Sequence, residues 1–183
     1  MGGFAEWDAG VGRPAQELMN TSGGTEGNFG DLARLACRVA SVPVALIGFR
    51  AEGEIQLAVK PGLSPEEERF ARDLCLRMFI EGGRLELADF KREPSLAPPA
   101  GSAGLEHLQF FSGATLPTAN SEDPWFLAVL DRAPRRLTPE QRTGLQTIGN
   151  QILLRQELRR SATDLAHASA QHERAEEARR EQA

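Results

Sequence analysis

The stretch Val42-Pro43-Val44-Ala45-Leu46-Ile47-Gly48-Phe49-Arg50-Ala51-Glu52-Gly53-Glu54-Ile55-Gln56-Leu57-Ala58-Val59-Lys60 decides the fold. Its first part, Val42 to Phe49, is a nearly unbroken β-rich apolar run, the pattern of a strand covered on both faces. Ala51-Glu52-Gly53 is a turn. After it, Ile55, Leu57 and Val59 alternate with Glu54, Gln56, Ala58 and Lys60, the period of a half-buried strand. Together they predict an antiparallel hairpin whose first strand is central.

Working downstream, Pro61-Gly62 breaks the second strand. Ser64-Pro65-Glu66-Glu67 then opens a helix, with Ser64 as N-cap, Pro65 at the first helical position and Glu67 closing a capping box. The spacing turns Phe70, Leu74, Cys75, Met78 and Phe79 inward, and Gly82-Gly83 stops the helix. Leu85 to Ala88 is a short strand. Asp89 to Gly104 carries several prolines and small residues and reads mostly as loop, with room for one helical turn. Gln109 to Leu116 reads as a strand, and Trp125 to Leu130 as a second almost continuous apolar strand, again central.

Upstream, Phe29, Leu32, Leu35, Ala36 and Val39 form one apolar stripe of a helix. Residues 1–28 are rich in Gly and polar residues and read as a flexible leader. At the far end, Thr138-Pro139-Glu140-Gln141 repeats the capping-box pattern. Neither Gly nor Pro occurs after Gly149, so the helix can run to near Ala183, roughly 65 Å at 1.5 Å per residue. Along it Leu154, Leu158, Ser161, Leu165, Ala168, His172 and Ala175 recur at alternating steps of four and three, a heptad seam flanked by charge. The seam predicts a parallel coiled coil with Leu154, Leu158 and Leu165 at a homodimer interface. The competing reading is a solvated helix that frays at its end.

The order of elements predicts an α+β class, an antiparallel sheet with helices packed on it plus a long C-terminal coiled-coil helix. Residues 29–154 read as the domain and 155–183 as the coiled-coil helix that leaves it.

Bulk properties narrow the function. The chain has 183 residues, 40% of them hydrophobic, and a formal net charge of −5. It carries no basic surplus to attract nucleic acid. It has no apolar run near the roughly 20 residues that span a bilayer. The N-terminus holds Glu6, Asp8 and Glu17 and lacks the apolar core of a signal peptide. Two cysteines, Cys37 and Cys75, stand far apart without metal-ligand spacing. These features fit a reduced, cytoplasmic setting without membrane insertion and without a metal site.

An ordered series of weak motifs resembles the GAF domain of bacterial signalling proteins, the kind found ahead of histidine kinases and diguanylate cyclases. Glu17-Leu18-Met19-Asn20-Thr21 and Phe29-Gly30-Asp31-Leu32 are similar to the family's opening Leu-Asp-Thr and Phe-Asp-x-Leu. Val42 to Ile47 looks like its first strand, and Gly62-Leu63 its Gly-Leu. Asp73-Leu74-Cys75 falls at its Ser-Phe-Cys. Asp89 with Glu93-Pro94-x-Leu96 falls at its Asp-x-x-x-Asp-Pro-x-Phe. Phe110 to Leu116 resembles its Phe-Tyr-Ala-Gly-x-Pro-Leu strand. Leu127 to Asp131, then Arg135 to Gln141, match its closing strand and helix. The chain departs from the pattern at Arg77, where a His is frequent, at Gln56-Leu57, at Trp125 and at Gln109. Several of these positions lie near the family's pocket.

The resemblance implies a sensor rather than an enzyme, with an unidentified small ligand and an output kinase or cyclase domain as partner. It implies a pocket between the sheet and residues 64–104, lined by Phe49, Leu57, Phe70, Leu74, Cys75, Met78, Phe79 and Phe111. The competing reading is that these side chains simply fill the core, leaving a ligand-free dimerisation module. A third reading makes Cys75 the centre of a thiol-dependent redox enzyme, for which its thiolate would need stabilising and access. No cofactor is indicated. His107 reads as a surface histidine, Gly101-Ser102-Ala103-Gly104 lacks the rest of a phosphate loop, and His172-Glu173-Arg174 lacks the residues around a kinase phosphoacceptor.

Overall fold

The computed structural model describes residues 25–59, 62–96, 107–117 and 123–181. Most of the expected leader and Gly101 to Gly104 lie outside them. The first helix, α1, spans Thr25–Ala40 and so begins inside the stretch read as leader. It is followed by β1 (Val44–Ala51), β2 (Glu54–Val59), α2 (Pro65–Ile80), β3 (Arg84–Leu87) and a 3-10 turn (Phe90–Arg92). Then come β4 (Phe110–Leu116), β5 (Trp125–Asp131) and α3 (Pro139–Glu181). All described strand pairings are antiparallel, in the order β2-β1-β5-β4-β3, so β5 is the central strand and β1 lies beside it. The class is α+β, as the sequence predicts.

Local chemistry sets the element ends. Glu52 and Gly53 both take positive φ in the β1–β2 turn, the conformation a tight hairpin needs. At the start of α2, Ser64 Oγ accepts from Glu67 N at 3.2 Å, and Glu67 Oε2 accepts from Ser64 N at 2.8 Å. Thr138 and Gln141 make the same reciprocal pair ahead of α3, at 3.2 and 3.0 Å. Each box satisfies two backbone N–H groups that a helix start otherwise leaves unpaired.

The sheet carries helices on both faces. On one face α1 and the first turns of α3 cover Ala45, Ile47, Phe49, Trp125, Leu127 and Val129. On the other, α2 and the 3-10 turn cover Val44, Leu46, Leu57, Phe111, Phe126, Ala128 and Leu130. A strand buried on both faces must be apolar throughout, which is why β1 and β5 show no alternation.

Two sequence expectations are corrected here. Val59 was expected on the same face as Ile55 and Leu57, but Leu57 pairs with Gly48 and Val59 with Ile47. Ala58 is therefore an extra residue, and this β-bulge moves Val59 to the α1 face. The stripe of α1 is also rotated. Phe29, Leu32, Ala33, Ala36 and Ala40 are buried, whereas Leu35 is 45% exposed.

The helix α3 packs tightly over its first turns because it presents glycines there. A Cβ on Gly144 would lie 2.6 Å from Val39 Cγ1, and one on Gly149 would lie 2.6 Å from Leu116 Cδ2. Ile148 and Ile152 are buried between them. From Arg160 to Glu176 every side chain is exposed, so the helix projects about 30 Å beyond the domain.

Candidate functional site

The face under α2 gathers seven of the eight side chains read as a pocket. Leu57 reaches it from β2, Phe111 from β4, and Phe70, Leu74, Cys75, Met78 and Phe79 from α2. Phe49 is not among them. It packs against Trp125 on the α1 face, ring centroids 5.1 Å apart. Strand parity causes the difference: Leu46 and Phe49 are three residues apart, so they point to opposite faces.

The seven are packed rather than set around a void. Cys75, Met78 and Phe111 have no exposed surface. Met78 sits over Gly113, where a Cβ would lie 2.8 Å from its Sδ. Phe70 meets Phe90 edge to face at 5.7 Å, and Phe79 meets Phe126 the same way at 5.9 Å. The half-buried rings of Phe70 and Phe79, with Leu96, form the margin of this cluster.

Polar groups at the margin hold α2 in place. Glu67, almost fully buried, receives Arg132 Nη2 at 3.1 Å from beyond β5. Arg72 donates to the Ile55 carbonyl and pairs with Glu68 at 2.8 Å. Burial pushes the Cys75 thiol far above its ordinary range, opposed only by the charge of Arg72. That environment suppresses thiolate chemistry. Cys37, half-buried on α1, is also raised by burial. Among the described residues no group of three or more His, Cys, Asp or Glu is placed to hold a metal.

Surface depressions open at opposite ends of the sheet, the second of the following pair reaching Phe79 at the margin of the α2 cluster. One, of about 320 Å³, is lined by Ala88, Asp89, Arg92, Pro134, Arg135 and Arg136. The other, of about 360 Å³, is lined by Phe79, Gly82, Gly83, Thr115, Leu116, Pro117 and Pro124. Sequence reading missed the first, although Lys91-Arg92 and Arg132-Ala133-Pro134-Arg135-Arg136 are the signal for it. What hid it was distance along the chain.

The residues expected at a dimer seam are outward-facing: Leu154, Leu158 and Leu165 are 52%, 61% and 72% exposed. No described helix is long and apolar enough to cross a membrane.

No family model matches the sequence, and no curated protein shows significant similarity to it. Solved structures do match the fold. A domain of a protein described as a two-component sensor histidine kinase from Sinorhizobium meliloti 1021 superposes with a TM-score of 0.55 at 16% identity, covering 80% of this chain and 99% of that one. The GAF domain of a phosphoenolpyruvate-protein phosphotransferase from Acinetobacter gives 0.56 at 17% identity, over 84% and 89% of the two chains. The third GAF domain of Slr1393 from Synechocystis sp. PCC6803, in its photoproduct state, gives 0.51 at 14% identity, over 74% and 98%. The fold of this chain is that of GAF domains.

Proposed function

We propose that the chain is a GAF-type sensory input module, a cytoplasmic homodimer that performs no catalysis and signals to a histidine kinase or diguanylate cyclase domain through α3. One observation carries this reading. The helix α3 is continuous from the buried Ile148 and Ile152 to the exposed Leu158 and Leu165, so any displacement of its base is carried along its length. An exposed leucine seam on a projecting helix is unfavourable in water unless a second helix covers it. A second copy supplies the same seam in register. In this account ligand binding under α2 shifts the sheet, and the paired helices exchange between two packings.

The packed state of the α2 face favours a second reading, a dimerisation module with no ligand. The redox-enzyme reading is disfavoured by the burial of Cys75. Mass spectrometry of the freshly purified chain under native and denaturing conditions separates the first two. A non-covalent mass on the native dimer, lost on denaturation, supports the sensor. A dimer at bare mass that stays bare after exposure to cell extract supports the ligand-free module.

A further inference from the structure

We propose that the depression between the 3-10 turn and the β5–α3 connection binds a phosphate-class oxyanion. Its walls come from two chain segments, residues 88–92 and 134–136, that meet where Arg135 N donates to Ala88 O at 2.9 Å. Three of its six lining residues are arginines: Arg92, Arg135 and Arg136. Two carboxylates stand beside them. Asp131 accepts from Arg135 Nε, which leaves that guanidinium two further N–H-bearing nitrogens. Asp89 accepts from Lys91 N at 3.0 Å, while Arg92 Nε stays 3.7 Å from its other oxygen, beyond hydrogen-bond distance. Arg136 has no hydrogen bond or ion pair to any described residue.

The depression therefore has more positive than negative groups, in a chain of net charge −5. Arginines from two chain segments around one recess supply planar, multiply donating groups of the kind that match the several equivalent oxygens of a phosphate group. A recess of about 320 Å³ suits a small anion rather than a folded partner. The position has a consequence for signalling. The next residue, Leu137, is buried, and α3 begins two positions later, so an anion bridging Arg92 to Arg135 and Arg136 would fasten the base of that helix to the β3 edge. The depression shares no lining residue with the seven side chains under α2, and the proposal does not depend on a ligand there.

The test is titration of the full chain with pyrophosphate at constant ionic strength, followed by amide NMR. Saturable shifts at residues 88–92, Arg135 and Arg136 are expected, and the exposed Arg136→Gln, which leaves the described contacts intact, should weaken binding about tenfold. Arg179→Gln, far along α3, should leave it unchanged. Linear, unsaturated shifts into the low millimolar range, saturable shifts at other residues, or equal affinity in Arg136→Gln would overturn the proposal.

Discussion

Arg155 of α3 holds Asp31 of α1 through two parallel N–H···O bonds, each 2.8 Å. The two residues are 124 positions apart in sequence, and they meet where α3 begins to leave the domain. The hydrogen bonds from Arg155 are the main reason that the Asp31 carboxyl ionises below its usual range. Both side chains are more than a third exposed, so screening by water keeps the pair weak, about 0.2–1 kcal/mol. The folded-state value is the lowered one, so the stabilisation is fully present above about pH 4 and disappears as pH falls through the folded value. Asp31→Asn should therefore lower the thermal midpoint slightly at neutral pH. The gap to wild type should close in acid and shrink in high salt.

Cys75 should be inert. In the native chain a thiol reagent should label Cys37 slowly and Cys75 only after unfolding, because burial disfavours the thiolate at both and excludes solvent at the second. Cys75→Ser should destabilise the fold by about 1–3 kcal/mol by placing a hydroxyl in an apolar site. Mass mapping of labelled peptides checks the order, and equal labelling of both cysteines would contradict it.

Gly113 and Met78 should be energetically coupled. A methyl group on Gly113 meets Met78 Sδ and the Phe111 ring at 2.8 and 3.0 Å, and overpacking of this kind costs about 1–3 kcal/mol. Gly113→Ala should lower stability by that amount, and adding Met78→Ala should recover part of it, although Met78→Ala alone also destabilises. Denaturant unfolding of the four proteins measures the coupling. Additive losses would mean that the two sites relax independently.

What was legible in the sequence is what is local. Ser64 to Glu67 and Thr138 to Gln141 name their helix starts because capping needs only residues three apart. The apolar runs of β1 and β5 name central strands for the same reason. The bulge at Ala58 was hidden because it exists only relative to β1, and Leu57 and Val59 look equivalent until the partner strand is known. Phe49 was misassigned because a run apolar on both faces does not say which residues face α2. The Glu67–Arg132 pair and the arginine depression join segments that only the folded sheet brings together. Leu35 fits the helical period as well as Leu32 does, and the packing of α3 decided which one was covered.

Leu158 and Leu165 should be dispensable for the domain and essential for its association. Both are more than half exposed, so replacing them with Glu should leave the unfolding midpoint of the isolated subunit nearly unchanged. In a shared seam the same charges would face each other without solvent and oppose pairing.

Sedimentation equilibrium of the full chain, beside the Leu158→Glu/Leu165→Glu variant, tests the account most directly. The account predicts a wild-type dimer at micromolar concentration and a folded monomer for the variant. A wild-type chain that sediments as a monomer throughout, or a variant that stays dimeric, would contradict the claim that α3 joins two sensor domains.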